Sequence, residues 1–475
     1  MKTMSRISMF FLSVLLLAGC AQTPELTTEN PPVIPMPAEA DYLNGSLDLK
    51  GCRIRKEEST EKFSMLLSKG IREAAGTRLK MSGDGNIQLL LNKDSEIPEE
   101  GYQLQVGDQG IRLEASGEAG LFYGIQTLVQ MAEKDGTIRK CKMNDYPSFR
   151  YRGLHLDVSR HFMSTDYIKE LLDLMSQYKL NRFHWHLVDG GGWRFESDSY
   201  PLLTRFGQAR TKCDWIEWWK KGDRLFVETG TPGSYGGFYT KEDMKEIVAY
   251  AADRYITVIP EIELPGHSNE VFYAYPELTC FQQLGDWEFC IGNPEVFKFL
   301  YSIIDEFIEI FPCEYIHIGG DEARKDNWKK CPKCQELMKR EGLEKVEELQ
   351  SWCISTVEKY INSKGKKIIG WDEILQGGLA PNATVMSWRG EEGGITAAQM
   401  GHDVIMTPGR PLYLDHFQGN PMTEPLAIGG YNPLVDIYQY NPRPASLDSL
   451  EQRHILVSRP ISGPNTSMTS PMRNI

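Results

Sequence analysis

The sequence predicts an α/β protein, a (β/α)8 TIM-type barrel preceded by a small α+β domain. Three observations predict it. From Gly153 to Met406, strand-like runs alternate with helical periodicity through seven steps, as a parallel sheet wrapped by helices requires. Those runs end in polar or aromatic residues, and barrels of this kind carry their chemistry at the C-terminal ends of the strands. Ahead of them, residues 41–146 mix short strands, a hairpin signal and two helical stretches. An open doubly wound sheet is the alternative, because an eighth unit is hard to find.

The first element is a targeting segment. Lys2 and Arg6 precede an apolar run from Ile7 to Leu17 that is too short to span a bilayer comfortably, and Leu17-Ala18-Gly19-Cys20 resembles a bacterial lipobox. Residues 1–20 are expected to be a lipoprotein signal peptide ending at a lipidated Cys20, with an ordinary cleaved signal peptide as the alternative. Residues 21–40, rich in proline from Pro24 to Pro37, read as a tether. The expected location is the bacterial cell envelope, with the membrane engaged through the lipid anchor only, at the periplasmic face or the cell surface.

Composition bounds the rest. A chain of 475 residues with 41% hydrophobic and 25% charged content describes ordinary soluble domains. Its net charge of −13 argues against nucleic acid, whose binding rests on Lys and Arg neutralising phosphates.

Within 41–146 the helical pattern covers Phe63 to Ala75, strands fall at Ile87–Leu91, Tyr102–Val106 and Ile111–Glu114, and a helix runs from Ala119 to Lys134. The Gly-Asp-Gln-Gly turn at 107–110 joins two alternating runs as a hairpin. The boundary falls near Asn144-Asp145-Tyr146-Pro147, and the barrel is read as 147–456.

There Gly153–Ser159 reads as a strand, and Ile168, Leu171, Leu172 and Met175 recur at helical spacing. Strand Asn181–Asp189 follows. Thr240 caps helix Lys241–Arg254, with Glu242 and Asp243 in the first turn, where the helix dipole favours negative charge. Then come strand Ile256–Leu264, helix Glu295–Phe311, strand Tyr315–Gly319, helix Leu343–Ser363, strands Lys367–Trp371 and Thr384–Trp388, helix Gly393–Met400 and strand Asp403–Met406.

Of ten cysteines, Cys20 is assigned to lipid. Cys331-Pro-Lys-Cys334 has metal-clip spacing, but no second such pair completes four zinc ligands. A local disulfide or two free thiols is the expectation, and Cys280 and Cys290 bracket a loop that they could close.

The most informative stretch is Tyr315-Ile-His-Ile-Gly-Gly-Asp-Glu322. Side chains alternate along a strand, so at its frayed end Asp321 and Glu322 can diverge and act on different atoms of one substrate. The plainer reading makes one of them an N-cap for the next helix. Other strand ends carry Asp157, His161, His184, His186, Asp189, Glu261, Glu263 and His267. Trp371, Trp388 and Tyr413 follow on later strands, an aromatic set suited to a sugar ring or an N-acetyl methyl group.

On these residues the chain resembles family 20 glycoside hydrolases, the β-N-acetylhexosaminidases. The resembling pieces are F-R-Y-R-G-L-H-L-D-V-S-R-H-F (149–162), F-H-W-H-L (183–187), V-I-P-E-I-E-L-P-G-H (258–267), H-I-G-G-D-E (317–322), G-W-D-E-I-L (370–375), M-S-W-R-G (386–390) and Y-L-D-H-F-Q-G (413–419). A-G-L-F-Y-G-I-Q-T-L (119–128) is similar to the small domain that precedes the barrel in that family.

The resemblance implies removal of terminal β-linked N-acetylhexosamine from oligosaccharides or glycoconjugates, by substrate-assisted retaining catalysis and with no cofactor. This departs from the usual two-carboxylate scheme: the substrate's acetamido oxygen attacks the anomeric carbon, giving an oxazolinium intermediate. Glu322 is then the general acid and Asp321 orients the acetamido nitrogen, while Tyr413 donates to its oxygen. An apolar surround and the nearby Asp321 are expected to keep Glu322 protonated. Trp371 and Trp388 wall the acetamide pocket, Arg152 and Asp415 bind sugar hydroxyls, and Asp157 with His267 support Glu322.

The chain departs from the family at Leu187-Val-Asp-Gly-Gly-Gly-Trp193, where an aspartate-glutamine pair is usual, and at Glu263, where aspartate is common. Two rival readings stay open. His184, His186, His267, His317 and Asp321 are residue types of a metal-dependent barrel hydrolase, and a glycan-binding, catalytically impaired surface lipoprotein is the non-enzyme alternative.

At the C-terminus, residues 457–467 read V-S-R-P-I-S-G-P-N-T-S where the family continues G-V-Q-A-N-L-W-T-E-Y-I. Shifting the reading frame of the family segment by one base gives codon classes compatible with all of them. A frameshift is therefore expected to have removed the eighth strand and helix, leaving 457–475 as an aberrant, disordered tail that cannot form a central strand.

Overall fold

The computed structural model of the chain describes residues 33–458 and 461–462, apart from 213, 216, 223, 284, 285 and 426. The signal segment, Cys20 and most of the tail from 457 to 475 lie outside these residues.

The N-terminal unit is one seven-stranded sheet. Its order is Glu39–Asp48, Thr137–Asp145, Tyr102–Gly107, Gly110–Ala115, Ile87–Leu91, Arg53–Arg55 and Lys80–Ser82. Burial alternates along Tyr102–Gly107 and Gly110–Ala115, as expected of a sheet with one covered face. Helices Glu61–Ala75 and Glu118–Met131 share its apolar core. The Glu39–Asp48 and Thr137–Asp145 pair was not legible, because the first strand buries almost nothing along its length and is held by its antiparallel ladder.

The expected tether is corrected at its end. Val33 is buried, and Ile34 exchanges two hydrogen bonds with the side chain of Gln130, so from residue 33 the chain is part of the folded unit.

Seven parallel strands make the barrel proper: Gly153–Asp157, Arg182–His186, Thr257–Leu264, Tyr315–Gly319, Lys367–Trp371, Thr384–Ser387 and Val404–Met406, paired in that order. We refer to them as barrel strands one to seven. Their outward side chains pack under the amphipathic helices, among them Thr165–Gln177, Lys241–Ala252, Pro294–Ile310 and Val346–Ser363. The inward set is smaller: Tyr151, Ile259, Ile369, Trp371, Met386 and Ile405 fill the barrel interior.

Strand pairing continues past residue 454. Ile455–Ser458 lies parallel to barrel strand seven, and Ile461–Ser462 lies parallel to barrel strand one. One segment thus meets both edges of the curled sheet. This corrects the expectation that the sequence after 456 offers no strand; among the described residues no helix follows these strands. Ladder bonds use backbone groups that polar residues also supply.

Helix Pro332–Glu341 was also unforeseen, although its signals were present: proline in its first turn and Gly342 in the left-handed conformation at its end (φ 70°).

Candidate active site

A cavity of about 250 Å³ opens at the C-terminal ends of the barrel strands and is lined by Asp157, Arg160, Asp189, His267, Asp321, Glu322, Trp371, Trp388, Tyr413 and Asp415 among others. Larger depressions of about 480 and 780 Å³ lie over the N-terminal sheet and at the junction of the two domains. Neither assembles a comparable set of paired acids and aromatic rings.

Barrel strand four stops at Gly319, before the two acids. Gly319 and Gly320 adopt φ of 68° and 100°, a region that glycine enters without strain. A Cβ at 319 would overlap the Glu263 carboxylate. Glu322 itself sits at φ 46°, uncommon for a residue with a long side chain and typical of strain held at working sites. The divergence of Asp321 and Glu322 therefore comes from a left-handed turn, in place of the strand alternation read from the sequence. Neither acid caps a helix, since the next one starts at Pro332. Asp321 points inward, with its side chain 15% exposed, against 52% for Glu322.

His267, from the loop after barrel strand three, joins the two. Its Nε2 lies 3.4 Å from Asp321 Oδ2 and 3.2 Å from Glu322 Oε2, while Nδ1 lies 3.1 Å from Asp189 Oδ1. Burial opposes a charge on the ring, but Asp189 and Asp321 outweigh it and hold the imidazole well above its ordinary value. The hydrogen bond from His267 pulls the half-exposed Glu322 carboxyl below its ordinary range, and burial raises Asp321. This reverses the expected polarity of the pair, because Glu322 faces solvent and a cationic ring instead of an apolar wall. Asp321 Oδ1 is buried and has no hydrogen-bond partner among the described residues.

Asp157 forms no hydrogen bond or ion pair with Glu322 among the described residues, and that assignment is corrected. It accepts from Arg160 Nη1 at 2.8 Å and from the backbone N–H groups of Ser159 and Arg160. Burial opposes its charge, but Arg160 and His186 prevail and hold it at about 2. Behind His267 stands Asp189, from the glycine-rich loop that departs from the family pattern. Asp189 also pairs with Arg160 at 2.6 Å.

Arg152 is a second correction. It lies just before the N-terminal end of barrel strand one, at the opposite end of the barrel from the cavity, and its guanidinium binds Glu100 of the N-terminal domain at 3.0 and 3.2 Å. The arginine in the cavity is Arg160, which sequence reasoning missed although it stands inside the L-D-V-S-R-H-F motif. Trp215 was missed too. It lines the cavity from the long excursion between barrel strands two and three, with Arg160 packed 5.9 Å from its ring centre.

Trp371 is buried, and the partly buried Trp388 and Tyr413 have ring centres 6.4 Å apart. The Trp388 indole N–H donates to Glu373 Oε2 at 2.9 Å. Burial, reinforced by Asp321, pushes Glu373 up to about 8. Asp415 is raised to about 7, chiefly by burial, and its Oδ1 lacks a hydrogen-bond partner among the described residues.

Beneath the cavity, Glu261 is a buried hub that meets His184 Nε2 at 2.8 Å, His317 Nδ1 at 2.7 Å and His155 Nε2 at 3.4 Å. Burial opposes its charge, but the histidines hold it well below the ordinary range. The residues considered for metal-dependent hydrolysis thus divide: His184 and His317 serve Glu261, while His267 serves Asp189, Asp321 and Glu322. His186 stands between, 3.2 Å from Glu263 Oε1 and 3.4 Å from Asp189 Oδ2. The ligand atoms of His155, His184 and Glu261 do lie within 4.8 Å of one another.

Comparison with known proteins adds a family. Residues 149–459 match the glycosyl hydrolase family 20 catalytic domain, and residues 30–146 match domain 2 of the same family. A beta-hexosaminidase of Porphyromonas gingivalis is 43% identical over 89% of this chain and 56% of its own length. Among solved structures, the exo beta-N-acetylglucosaminidase of Vibrio harveyi in complex with N-acetylglucosamine superimposes with a TM-score of 0.78 at 30% identity, covering 91% of this chain and 69% of that one. The beta-N-acetylhexosaminidase of Bacteroides fragilis gives 0.75 at 30% identity, covering 90% and 85%. The chain spans just over half the length of the curated relative from P. gingivalis.

Proposed function

We propose that this chain, which belongs to glycosyl hydrolase family 20, removes terminal β-linked N-acetylhexosamine from glycans with retention of configuration. The observation that carries the reading is the pairing of an inward-facing acid, Asp321, whose buried Oδ1 has no hydrogen-bond partner among the described residues, with a neighbouring half-exposed acid, Glu322, both held by His267.

In the first step the acetamido oxygen attacks the anomeric carbon. The bond from that carbon to the leaving oxygen breaks, and Glu322 gives its proton to the departing oxygen. Asp321 Oδ1 accepts the acetamide N–H and balances the charge that grows on the oxazolinium ring, while the Tyr413 hydroxyl donates to the acetamide oxygen. In the second step Glu322 takes a proton from water, which attacks the anomeric carbon and reopens the ring. A sugar seated over Glu322 displaces water from its carboxyl and raises its proton affinity, offsetting the pull of His267. Trp371, Trp388 and Tyr413 offer apolar faces to the acetamide, and Arg160 and Asp415 offer a donor and an acceptor to ring hydroxyls.

The test is assay of the purified protein on aryl β-GlcNAc and β-GalNAc substrates with and without a thiazoline analogue of the bicyclic intermediate. Hydrolysis blocked by the analogue is expected. Absence of turnover on both sugars, with tight binding retained, would favour the glycan-binding reading, and turnover untouched by the analogue the metal-dependent one.

The same proposal places the protein on the envelope through a lipid on Cys20. Support comes from the basic start, the short apolar run and the Leu-Ala-Gly-Cys ending. Cys20→Ser should move the protein from the membrane fraction to the soluble one, and unchanged fractionation rejects the anchor.

A further inference from the structure

Four cysteines from two separate loops meet in the fold. Cys280 and Cys290 lie in the excursion after barrel strand three, while Cys331 and Cys334 open helix Pro332–Glu341, which follows the Asp321-Glu322 turn. Their sulfurs all lie within 4.8 Å of one another, with Cys290–Cys331 at 3.6 Å and Cys280–Cys334 and Cys290–Cys334 both at 3.8 Å. A tetrahedral zinc tetrathiolate with Zn–S of about 2.3 Å has S···S edges of about 3.8 Å, whereas a disulfide needs about 2.0 Å. The three spacings of 3.6–3.8 Å match those edges, and the remaining pairs lie within 4.8 Å.

Other features fit a closed metal centre. Cys290, Cys331 and Cys334 are buried and Cys280 partly so, which leaves no open position for substrate, as in structural sites. The Gly292 N–H donates to Cys334 Sγ at 3.4 Å, and a side chain at Gly292 would collide with the backbone of Lys333 and Cys334. Cys331 and Cys334 also sit at the N-terminus of a ten-residue helix, whose dipole favours thiolates.

We propose that these cysteines bind one zinc ion, releasing four thiol protons as four Zn–S bonds form, and that the ion clamps the loop behind the acid pair. That loop braces two residues that line the cavity. Trp287, between Cys280 and Cys290, donates its indole N–H to the backbone carbonyl of Glu322 at 3.0 Å and packs on His267 with ring centres 4.4 Å apart. The Arg324 N–H donates to Glu288 at 3.0 Å, and Trp328 donates to the carbonyl of Phe289 at 2.8 Å. The ion therefore acts as a positioning element for Glu322 and His267, and its chemistry is independent of which sugar the enzyme cleaves.

The deciding measurement is metal analysis of the purified full chain, paired with cobalt substitution and intact mass under non-reducing conditions. About one zinc per chain, released in step with titration of four thiols by an organomercurial, together with thiolate-to-cobalt charge-transfer bands in the cobalt form, is the expected result. A metal-free chain four hydrogens lighter, with these cysteines silent to alkylation, would mean two disulfides and overturn the site; so would metal-free, freely alkylated thiols. Stripping the ion should lower kcat by as much as about 10²-fold, the cost of a small displacement of a catalytic group, with recovery on adding zinc. Full activity of the stripped enzyme would refute the clamp. Cys331→Ser with Cys334→Ser should abolish metal binding, whereas Glu322→Gln should keep it; should the double variant fail to fold, the cobalt spectrum of the unmodified chain decides.

Discussion

His267 Nδ1 lies 3.1 Å from Asp189 Oδ1, while the opposite nitrogen of the same ring faces Glu322 Oε2 at 3.2 Å. Both nitrogens face carboxylates, the arrangement of a protonated imidazolium. The acid pair is therefore governed by a residue that never touches it, Asp189.

Asp189→Asn removes that charge and keeps an acceptor. The His267 pKa is raised in the fold, so its stabilising charge is complete below the unfolded value of about 6.5 and is lost as pH rises through the folded value. In the variant this loss should begin at lower pH. With the charge goes its downward pull on Glu322, so the alkaline limb of the kcat profile, set by the protonated general acid, should move up. A pH–rate profile superimposable on the parent's would show that Asp189 does not act through His267.

Glu322→Gln should cost about 10²- to 10⁴-fold in kcat/KM on natural glycosides, the usual worth of general acid–base catalysis. On aryl glycosides with acidic leaving groups, which need little protonation, the loss should be much smaller. Asp321→Asn should harm both substrate classes, because Asp321 serves the acetamide. Equal losses in Glu322→Gln on the two classes would remove Glu322 from the acid role.

Arg152→Ala should leave KM within about twofold and lower stability by roughly 1–3 kcal/mol, the range for charge-assisted hydrogen bonds in a partly buried setting. Its partner Glu100 belongs to the N-terminal domain, so denaturant unfolding should show the change. Asp415→Asn should do the opposite, raising KM with little effect on folding. A KM defect in Arg152→Ala would return that residue to the sugar site.

Glu373 is pushed up to about 8, first by burial and then by Asp321. A carboxyl whose folded pKa is raised binds more protons in the fold than in the unfolded chain, so stability declines as pH rises from about 4.5 through 8. Glu373→Gln keeps an acceptor for the Trp388 indole and removes the titration. Its melting temperature should fall less steeply than the parent's across that window and exceed it by a few degrees above pH 8. Parallel melting curves across that range would rule out the perturbed carboxyl.

Much of the site was legible because it lies in short local pieces. H-I-G-G-D-E places Asp321 and Glu322 together regardless of fold, and the aromatic residues at 371, 388 and 413 announce an apolar wall. The errors came from residues whose partners are distant in sequence. Arg152 and Arg160 belong to the same motif, and only the strand between them sends one toward the N-terminal domain and the other into the cavity. Asp157 was read as a support for Glu322 beside His267, and only the loop after barrel strand two made Asp189 the carboxylate at the ring.

The sequence by itself determined the alternation of strands and helices, the identity of the acid pair and the glycines that let the chain turn there, because periodicity and backbone freedom are local properties. Tertiary structure alone decided which carboxylate is exposed, which charge holds which ring, and which sulfurs meet. The cysteines show the division most plainly. Cys331 and Cys334 are three residues apart and readable as half a metal site, but their complements at 280 and 290 have no such spacing. Those two come within reach only because barrel strands three and four run parallel and side by side, which brings the loops that leave them to the same end of the barrel.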